Sequence, residues 1–95
     1  MMRIAIHGAS GRLGALIAEE AAAAFVGAIG RDGPVPECDA VIDVSSVEGL
    51  TALLPRLSGQ PLLIGTTGDL PLAALETYAE TAPVAVVRSM SRWTF

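Results

Sequence analysis

Three glycines spaced three residues apart, Gly8, Gly11 and Gly14, constrain the fold of this 95-residue chain more than any other feature. They follow a short apolar run, residues 3–6, that predicts a buried strand, and they open an alanine-rich helical pattern over residues 13–24. In a strand–turn–helix setting, glycine permits a tight turn, close approach of backbone N–H groups to a pyrophosphate, and close helix–strand packing. The spacing predicts a dinucleotide-binding loop, with a ligand-free turn as the alternative.

Side chains in and beside this loop extend the prediction. Ser10 can donate a hydroxyl hydrogen bond, and Arg12 places a cation beside the phosphates expected at the helix N-terminus. His7 is the only histidine of the chain. If protonated it could contact a phosphate, but we expect the ring to be hydrogen-bonded to the backbone at the end of its strand.

The rest of the chain alternates apolar runs with helical patterns. Further strands are predicted at residues 25–30, 40–44, 61–65 and 84–88, and further helices at 47–57 and 71–82. Ser45 and Ser46 can cap the second helix, Pro55 disturbs its last turn, and Pro71 opens the third helix. Continuously apolar strands that alternate with helices are typical of a parallel sheet covered on both faces. We predict an α/β fold, a Rossmann-like doubly wound sheet of about five strands in the order 2-1-3-4-5.

A ligand crevice is expected where this strand order reverses, at the carboxyl ends of the first and third strands. Residues 8–14, 45–48 and 65–68 would meet there. Asp43, at the end of the third strand, is interpreted as a buried carboxylate that accepts hydrogen bonds from backbone N–H groups.

Composition narrows the classes of protein. The net charge of −4, with six arginines and no lysine, argues against a nucleic-acid partner. No apolar run approaches the length of a membrane span, and no secretory pattern precedes the glycine loop. The single cysteine, Cys38, fits a cytoplasmic protein, and its neighbours Glu37 and Asp39 should raise its pKa and leave an inert thiol.

Three segments together resemble one family. Gly-Ala-Ser-Gly-Arg-Leu-Gly at 8–14, Val-Ile-Asp-Val-Ser-Ser-Val-Glu-Gly at 41–49 and Leu-Ile-Gly-Thr-Thr-Gly at 63–68 look like dihydrodipicolinate reductase, the 4-hydroxy-tetrahydrodipicolinate reductase of lysine biosynthesis. The glycine loop is common to many families, whereas the Gly-Thr-Thr-Gly turn is more discriminating. The resemblance covers nearly the whole chain and implies that residues 1–95 are the cofactor-binding domain, without the substrate and catalytic domain of the family.

The resemblance implies roles for individual residues. It implies a pyrophosphate loop formed by Gly8, Ser10, Gly11, Arg12, Leu13 and Gly14. It implies a turn at the nicotinamide end formed by Gly65, Thr66 and Thr67, for which a plain strand-to-helix turn is the alternative. Val44 and Ser45 match the segment beside the nicotinamide, where the family usually shows Phe-Thr. No catalytic residue and no metal ligand is assigned to this chain.

The chain departs from the family pattern at three places. Gly30 and Arg31 stand where an acidic residue would bind the adenosine ribose, so we expect NADPH to bind at least as well as NADH, unless Asp32 takes the acidic role. Residues 88–91 keep only the serine of a family Pro-Asn-Phe-Ser segment. The histidine pair, lysine and substrate loop of the second domain are absent, so this chain alone should not reduce dihydrodipicolinate at a family-like rate.

Two functional classes stay open at this point. The first is the NADPH- or NADH-binding part of a reductase that transfers hydride to a cyclic dihydropyridine dicarboxylate, completed by a second domain or a partner chain. The second is a Rossmann module that binds a nucleotide or a partner without catalysis, and a homo-oligomer is compatible with either. A dehydrogenase with a Tyr-x-x-x-Lys pair is disfavoured because Tyr78 is not followed by a lysine. Trp93 and Phe95 could cover the last strand or begin a linker.

Overall fold

The computed structural model describes residues 2–87. Five strands and three helices follow one another along the chain, with no helix between the second and third strands: β1 (Ile4–His7), α1 (Arg12–Ala21), β2 (Phe25–Ile29), β3 (Ala40–Asp43), α2 (Val47–Leu53), β4 (Leu62–Ile64), α3 (Leu72–Ala79) and β5 (Val84–Val86). All strand pairs are parallel, and the sheet order is β2-β1-β3-β4-β5. The predicted Rossmann-like α/β fold and its strand order are therefore confirmed.

The helices are shorter than their sequence patterns. The first helix ends at Ala21, because Ala22 has a φ of +50° and begins a 3-10 turn that runs to Ala24. The second helix likewise ends in a 3-10 turn, Leu54–Arg56, that contains Pro55, as predicted. Ser46 caps its other end, since its side chain accepts a hydrogen bond from the Gly49 N–H at 3.0 Å.

One apolar core lies between the sheet and helices α2 and α3. The sheet contributes the buried residues Ala5, Ile29, Val41, Leu62 and Ile64, and the helical layer contributes Leu50, Leu53, Leu54 and Leu75. Full burial of a leucine such as Leu50 or Leu53 stabilises the fold by roughly 1.5–3 kcal/mol. Leu72, the first residue of α3, is 57% exposed, whereas Leu75 is buried.

The β1–α1–β2 connection runs toward one edge of the sheet, whereas the β3–α2–β4 and β4–α3–β5 connections run toward the other edge. With right-handed crossovers, α1 therefore lies on the face of the sheet opposite to α2 and α3. There it contacts β1, where Ile6 is fully buried outside the main core. The reversal of strand order falls between β1 and its neighbours β2 and β3, so the carboxyl ends of these three strands surround one crevice. The expected fifth strand reaches Val86, and Arg88, Trp93 and Phe95 lie outside the described residues.

Candidate functional site

The turn after β1 is built by glycine geometry. Gly8 has a φ of +94°, which a side chain would strain, and its carbonyl accepts a hydrogen bond from the Gly11 N–H at 3.1 Å. Gly11 then forms the N-cap of α1 and has no side chain with which to bond the first N–H groups of the helix. These N–H groups carry the positive end of the helix dipole and can bind an anion.

Two of the glycines are required by close backbone approaches. A Cβ on Gly8 would lie 2.7 Å from the Val44 carbonyl oxygen and 2.9 Å from the Ser45 nitrogen. A Cβ on Gly14, which is buried in the first turns of α1, would lie 2.6 Å from the Gly8 carbonyl carbon. The turn is therefore packed between helix α1 and the segment after β3. A Cβ on Gly11 would lie 3.4 Å from the Gly8 oxygen, and that position tolerates a small side chain.

A buried carboxylate joins the ends of three strands. Asp43 is fully buried, and its Oδ1 lies 2.6 Å from His7 Nδ1 and accepts a hydrogen bond from the Ser45 hydroxyl at 2.8 Å. The Thr66 hydroxyl donates to Oδ2 of the same carboxylate. The predictions that Asp43 and His7 would be bonded to the backbone are wrong, because side chains at the ends of β1 and β4 reach the carboxylate.

The orientation of His7 follows from this contact. A carboxylate oxygen only accepts hydrogen bonds, so Nδ1 carries the ring proton. Every buried side-chain nitrogen or oxygen in residues 2–87 has a partner. The other ring nitrogen of His7, Nε2, has no hydrogen-bond partner within residues 2–87, so it is not a buried atom. In agreement with this, His7 lines a cavity.

This cavity of about 590 Å³ occupies the crevice at the ends of β1, β2 and β3. Its volume falls within the usual range for small-molecule sites, about 300–1,000 Å³. The lining residues come from the glycine turn, the end of β2 and one side of α2 with its 3-10 turn: His7, Gly8, Ala9, Ser10, Ala28, Ile29, Gly30, Arg31, Ser45, Glu48, Gly49, Ala52 and Arg56.

The predicted site residues divide into three groups. Four of them line the cavity: Gly8, Ser10, Arg31 and Ser45. Others border it without lining it: Gly11, Arg12, Leu13, Gly14 and Val44, which belong to the turn, to the first turn of α1 and to the segment behind Gly8. The last group lies outside this cavity, after β4: Gly65, Thr66 and Thr67. Thr66 is buried against Asp43, whereas Thr67 is exposed.

Arg56 is a cavity residue that was not predicted from the sequence. Its Nη1 donates to the carbonyl oxygens of Gly30 at 2.9 Å and Arg31 at 3.3 Å, and its Nη2 donates to that of Gly33 at 2.7 Å. These partners are 23 to 26 residues away in the chain, so no local pattern predicts them. Arg56 thereby ties the loop after β2 to the end of α2, at the wall of the cavity.

Charges at the amino ends of the strands lie away from this cavity. Arg3 is bonded to Asp39, with Nη2 3.3 Å from Oδ1, and these hydrogen bonds hold the pKa of the Asp39 carboxyl below its usual value. The pKa of the Cys38 thiol is raised, as predicted. The main cause is burial, and the charge of Asp39 is a smaller contribution that Arg3 opposes.

Residues 2–87 contain no group of three or more His, Cys, Asp or Glu side chains arranged to hold a metal ion. None of the helices in this part of the chain is both long and apolar enough to cross a membrane.

The all-parallel sheet, the glycine turn and the cavity at the reversal of strand order define a Rossmann-like α/β domain. Over 97 residues the chain is 36% identical to the 4-hydroxy-tetrahydrodipicolinate reductase of Acidiphilium cryptum (strain JF-5), covering 93% of this chain and 39% of that protein. It is 33% identical over 115 residues to the enzyme of the same name from Campylobacter curvus (strain 525.92), covering 96% of this chain and 45% of that protein.

The predicted resemblance to 4-hydroxy-tetrahydrodipicolinate reductase is thus confirmed over nearly the whole chain. The chain spans about two fifths of the length of these curated relatives, and the match falls in their N-terminal region. No protein-family model matches the chain.

Proposed function

We propose that this chain binds NADPH or NADH as the cofactor-binding part of a reductase that transfers hydride to a 4-hydroxy-tetrahydrodipicolinate-like substrate in lysine biosynthesis. The observation that carries the proposal is the glycine turn, whose open helix N-terminus borders a cavity of about 590 Å³ at the reversal of strand order. The names of the two relatives support the reaction class, and a cytoplasmic location is part of the same proposal.

The pyrophosphate would lie over the turn and the first N–H groups of α1. Gly8 and Gly14 shape this surface by letting the turn pack closely, and Gly11 keeps the approach to the N–H groups open. Ser10 and Arg12 are both exposed and can add a hydroxyl donor and a cation. Leu13 completes the first turn of the helix.

The nicotinamide would lie toward the ends of β3 and β4. Val44 and Ser45 form one side of this region, and the turn 65–67 forms the other. Because the Thr66 hydroxyl is used on Asp43, we assign to Thr66 a positioning role, and to Gly65 and Thr67 the contacts with the carboxamide.

The adenosine end would lie near Gly30 and Arg31. Gly30 offers no carboxylate to repel a 2′-phosphate, and the exposed Arg31 can pair with it, so NADPH should bind at least as well as NADH. If Asp32 took the acidic role instead, NADH would bind better. Its absence from the cavity lining favours the first alternative.

Isothermal titration calorimetry of the purified chain with NADPH and with NADH tests this function, because it measures the dissociation constant of each dinucleotide. We expect saturable binding of both, weakened at least tenfold by Gly11→Val, whose side chain enters the pyrophosphate path, while Arg31→Ala selectively weakens NADPH. Ser58→Ala, an exposed position that does not line the cavity, is the control. Binding that Gly11→Val leaves unchanged would show that the glycine stretch is only a turn.

A non-catalytic nucleotide-binding module is the second candidate. It is favoured by the absence of lysine from a chain whose only histidine, His7, is engaged with buried Asp43. A positioned general acid typically contributes roughly a hundredfold to ten-thousandfold to such reactions. We expect the 95-residue chain to bind cofactor without substrate-dependent NADPH oxidation, and robust turnover would contradict this.

A further inference from the structure

Arg56 makes an unusual set of contacts for an arginine. Its guanidinium donates three hydrogen bonds, all to backbone carbonyl oxygens of the loop after β2, at Gly30, Arg31 and Gly33. The salt bridges within residues 2–87 involve only Arg3 and His7 as cations, so no described carboxylate neutralises Arg56. A guanidinium has five N–H donors, and two of them are left over after these bonds.

The position of Arg56 places its positive charge at one end of the cavity. Arg56 lines the same cavity as Gly30 and Arg31 and lies at the end of the 3-10 turn that follows α2. Glu48, the acidic side chain in the cavity lining, precedes it by eight residues, or about 12 Å along a helix. The end of the cavity beside β2 therefore has two arginines, and its acid lies toward the other end.

The contacts also order a loop that has little structure of its own. Residues 30–39 contain no helix or strand, and both Gly30 and Gly33 give this loop conformational freedom. The bonds from Arg56 hold the carbonyls on both sides of Arg31 and thus fix where the Arg31 side chain starts. A flexible loop would have to lose this freedom on binding, which weakens affinity.

We propose that Arg56 determines selectivity for dinucleotides that carry a 2′-phosphate on the adenosine ribose. It is a positioning residue, which acts through Arg31 by fixing the backbone that presents the Arg31 guanidinium. This inference rests on the proposed binding of NADPH or NADH and adds the residue that sets the choice between them.

The test measures dissociation constants for NADPH and NADH in wild type, Arg56→Gln and Arg56→Lys. We expect Arg56→Gln to weaken NADPH binding roughly tenfold or more, as for loss of a charge-assisted contact, and NADH binding less than about threefold. Arg56→Lys keeps the charge but cannot hold three carbonyls, so the NADPH-to-NADH preference should still fall at least about threefold. Arg3→Gln, an exposed arginine that does not line the cavity, is the matched control.

A double-mutant comparison separates positioning from general destabilisation. In an Arg31→Ala background, Arg56→Gln should change the preference by less than about twofold, because it acts largely through Arg31. Equal weakening of both dinucleotides by Arg56→Gln, or full selectivity in Arg56→Lys, would overturn the proposal. If Arg56→Gln does not fold, the lysine variant decides the question alone. A wild-type chain that binds neither dinucleotide refutes the proposed function instead, so the two failures are distinguishable.

Discussion

Gly14 in α1 packs directly on the carbonyl group of Gly8, and a Cβ at Gly14 would lie 2.6 Å from the Gly8 carbonyl carbon and 2.8 Å from the α-carbon of Ala9. Nothing in this contact is a flexible side chain that could move aside. The helix therefore reaches the sheet at a distance that only glycine allows. The glycine motif thus contains two positions needed for close packing, Gly8 and Gly14, and one position, Gly11, that leaves the helix N–H groups open to a ligand.

The pair Gly14→Ala and Gly11→Ala separates these two requirements. Gly14→Ala should lower the free energy of unfolding by about 3 kcal/mol, because the added methyl overlaps backbone atoms. Gly11→Ala should change it by less than about 1 kcal/mol, because Gly11 has an ordinary φ of −77° and its Cβ would have 3.4 Å of space. Urea unfolding of both variants measures the difference. Equal stabilities would mean that α1 can shift away from the turn at no cost.

Replacement of Asp43 should be strongly destabilising. In Asp43→Asn an amide NH2 would face groups that donate to the carboxylate, His7 Nδ1, Ser45 and Thr66. Leaving such buried donors unpaired costs roughly 2–4 kcal/mol, which thermal and urea unfolding would detect. Asp69→Asn, an exposed acid after the Thr66 turn, is the control and should stay within about 0.5 kcal/mol of wild type.

The cap of α2 provides a smaller, local test. Ser46→Ala removes the acceptor for the Gly49 N–H and should cost about 1 kcal/mol. Ser46→Asp retains an acceptor and adds a negative charge near the helix N-terminus, so its stability should stay close to that of wild type. Thermal unfolding of the two variants compares them. If alanine and aspartate were equally destabilising, the cap would not be the reason for the loss.

The Arg3–Asp39 pair should make stability depend on pH in the acidic range. Asp39 has a folded-state pKa lowered below its ordinary value of 3.8, chiefly by hydrogen bonds from Arg3. A lowered pKa means that the stabilisation is present above the unfolded-state value and is lost as the pH falls through the folded-state value. NMR titration should therefore give a midpoint below 3.8 for Asp39, and Arg3→Gln should move it upward. An unchanged midpoint in that variant would contradict the assignment to Arg3.

The order of the sheet was predictable because its signal is carried by whole segments. Apolar runs at 40–44 and 61–65, separated by a helix with a serine cap, leave few topologies once crossovers are right-handed. The end of α1 was not predictable, since residues 21–24 are all alanine and alanine favours a helix throughout. The positive φ of Ala22 is set by the path into β2, which the local sequence does not encode.

The site was predictable only where backbone geometry defines it. The glycine turn is visible in the spacing of Gly8, Gly11 and Gly14. By contrast, two partners of Asp43, His7 and Thr66, come from the ends of neighbouring strands, and the partners of Arg56 lie more than twenty residues away. Such contacts depend on how side chains converge after the sheet forms, and spacing along the chain does not report them.

The parallel sheet also has a consequence for the order in which the protein can fold. No two neighbouring strands can form through a hairpin. The pairing of Ile4 with Phe25 joins residues 21 positions apart in the chain, and the pairing of Ile4 with Ala40 joins residues 36 positions apart. The Gly8 turn gains its last wall only when Val44 is in place. This turn can therefore take its final shape only after the 36 residues that follow Gly8, as far as Val44, have been synthesised.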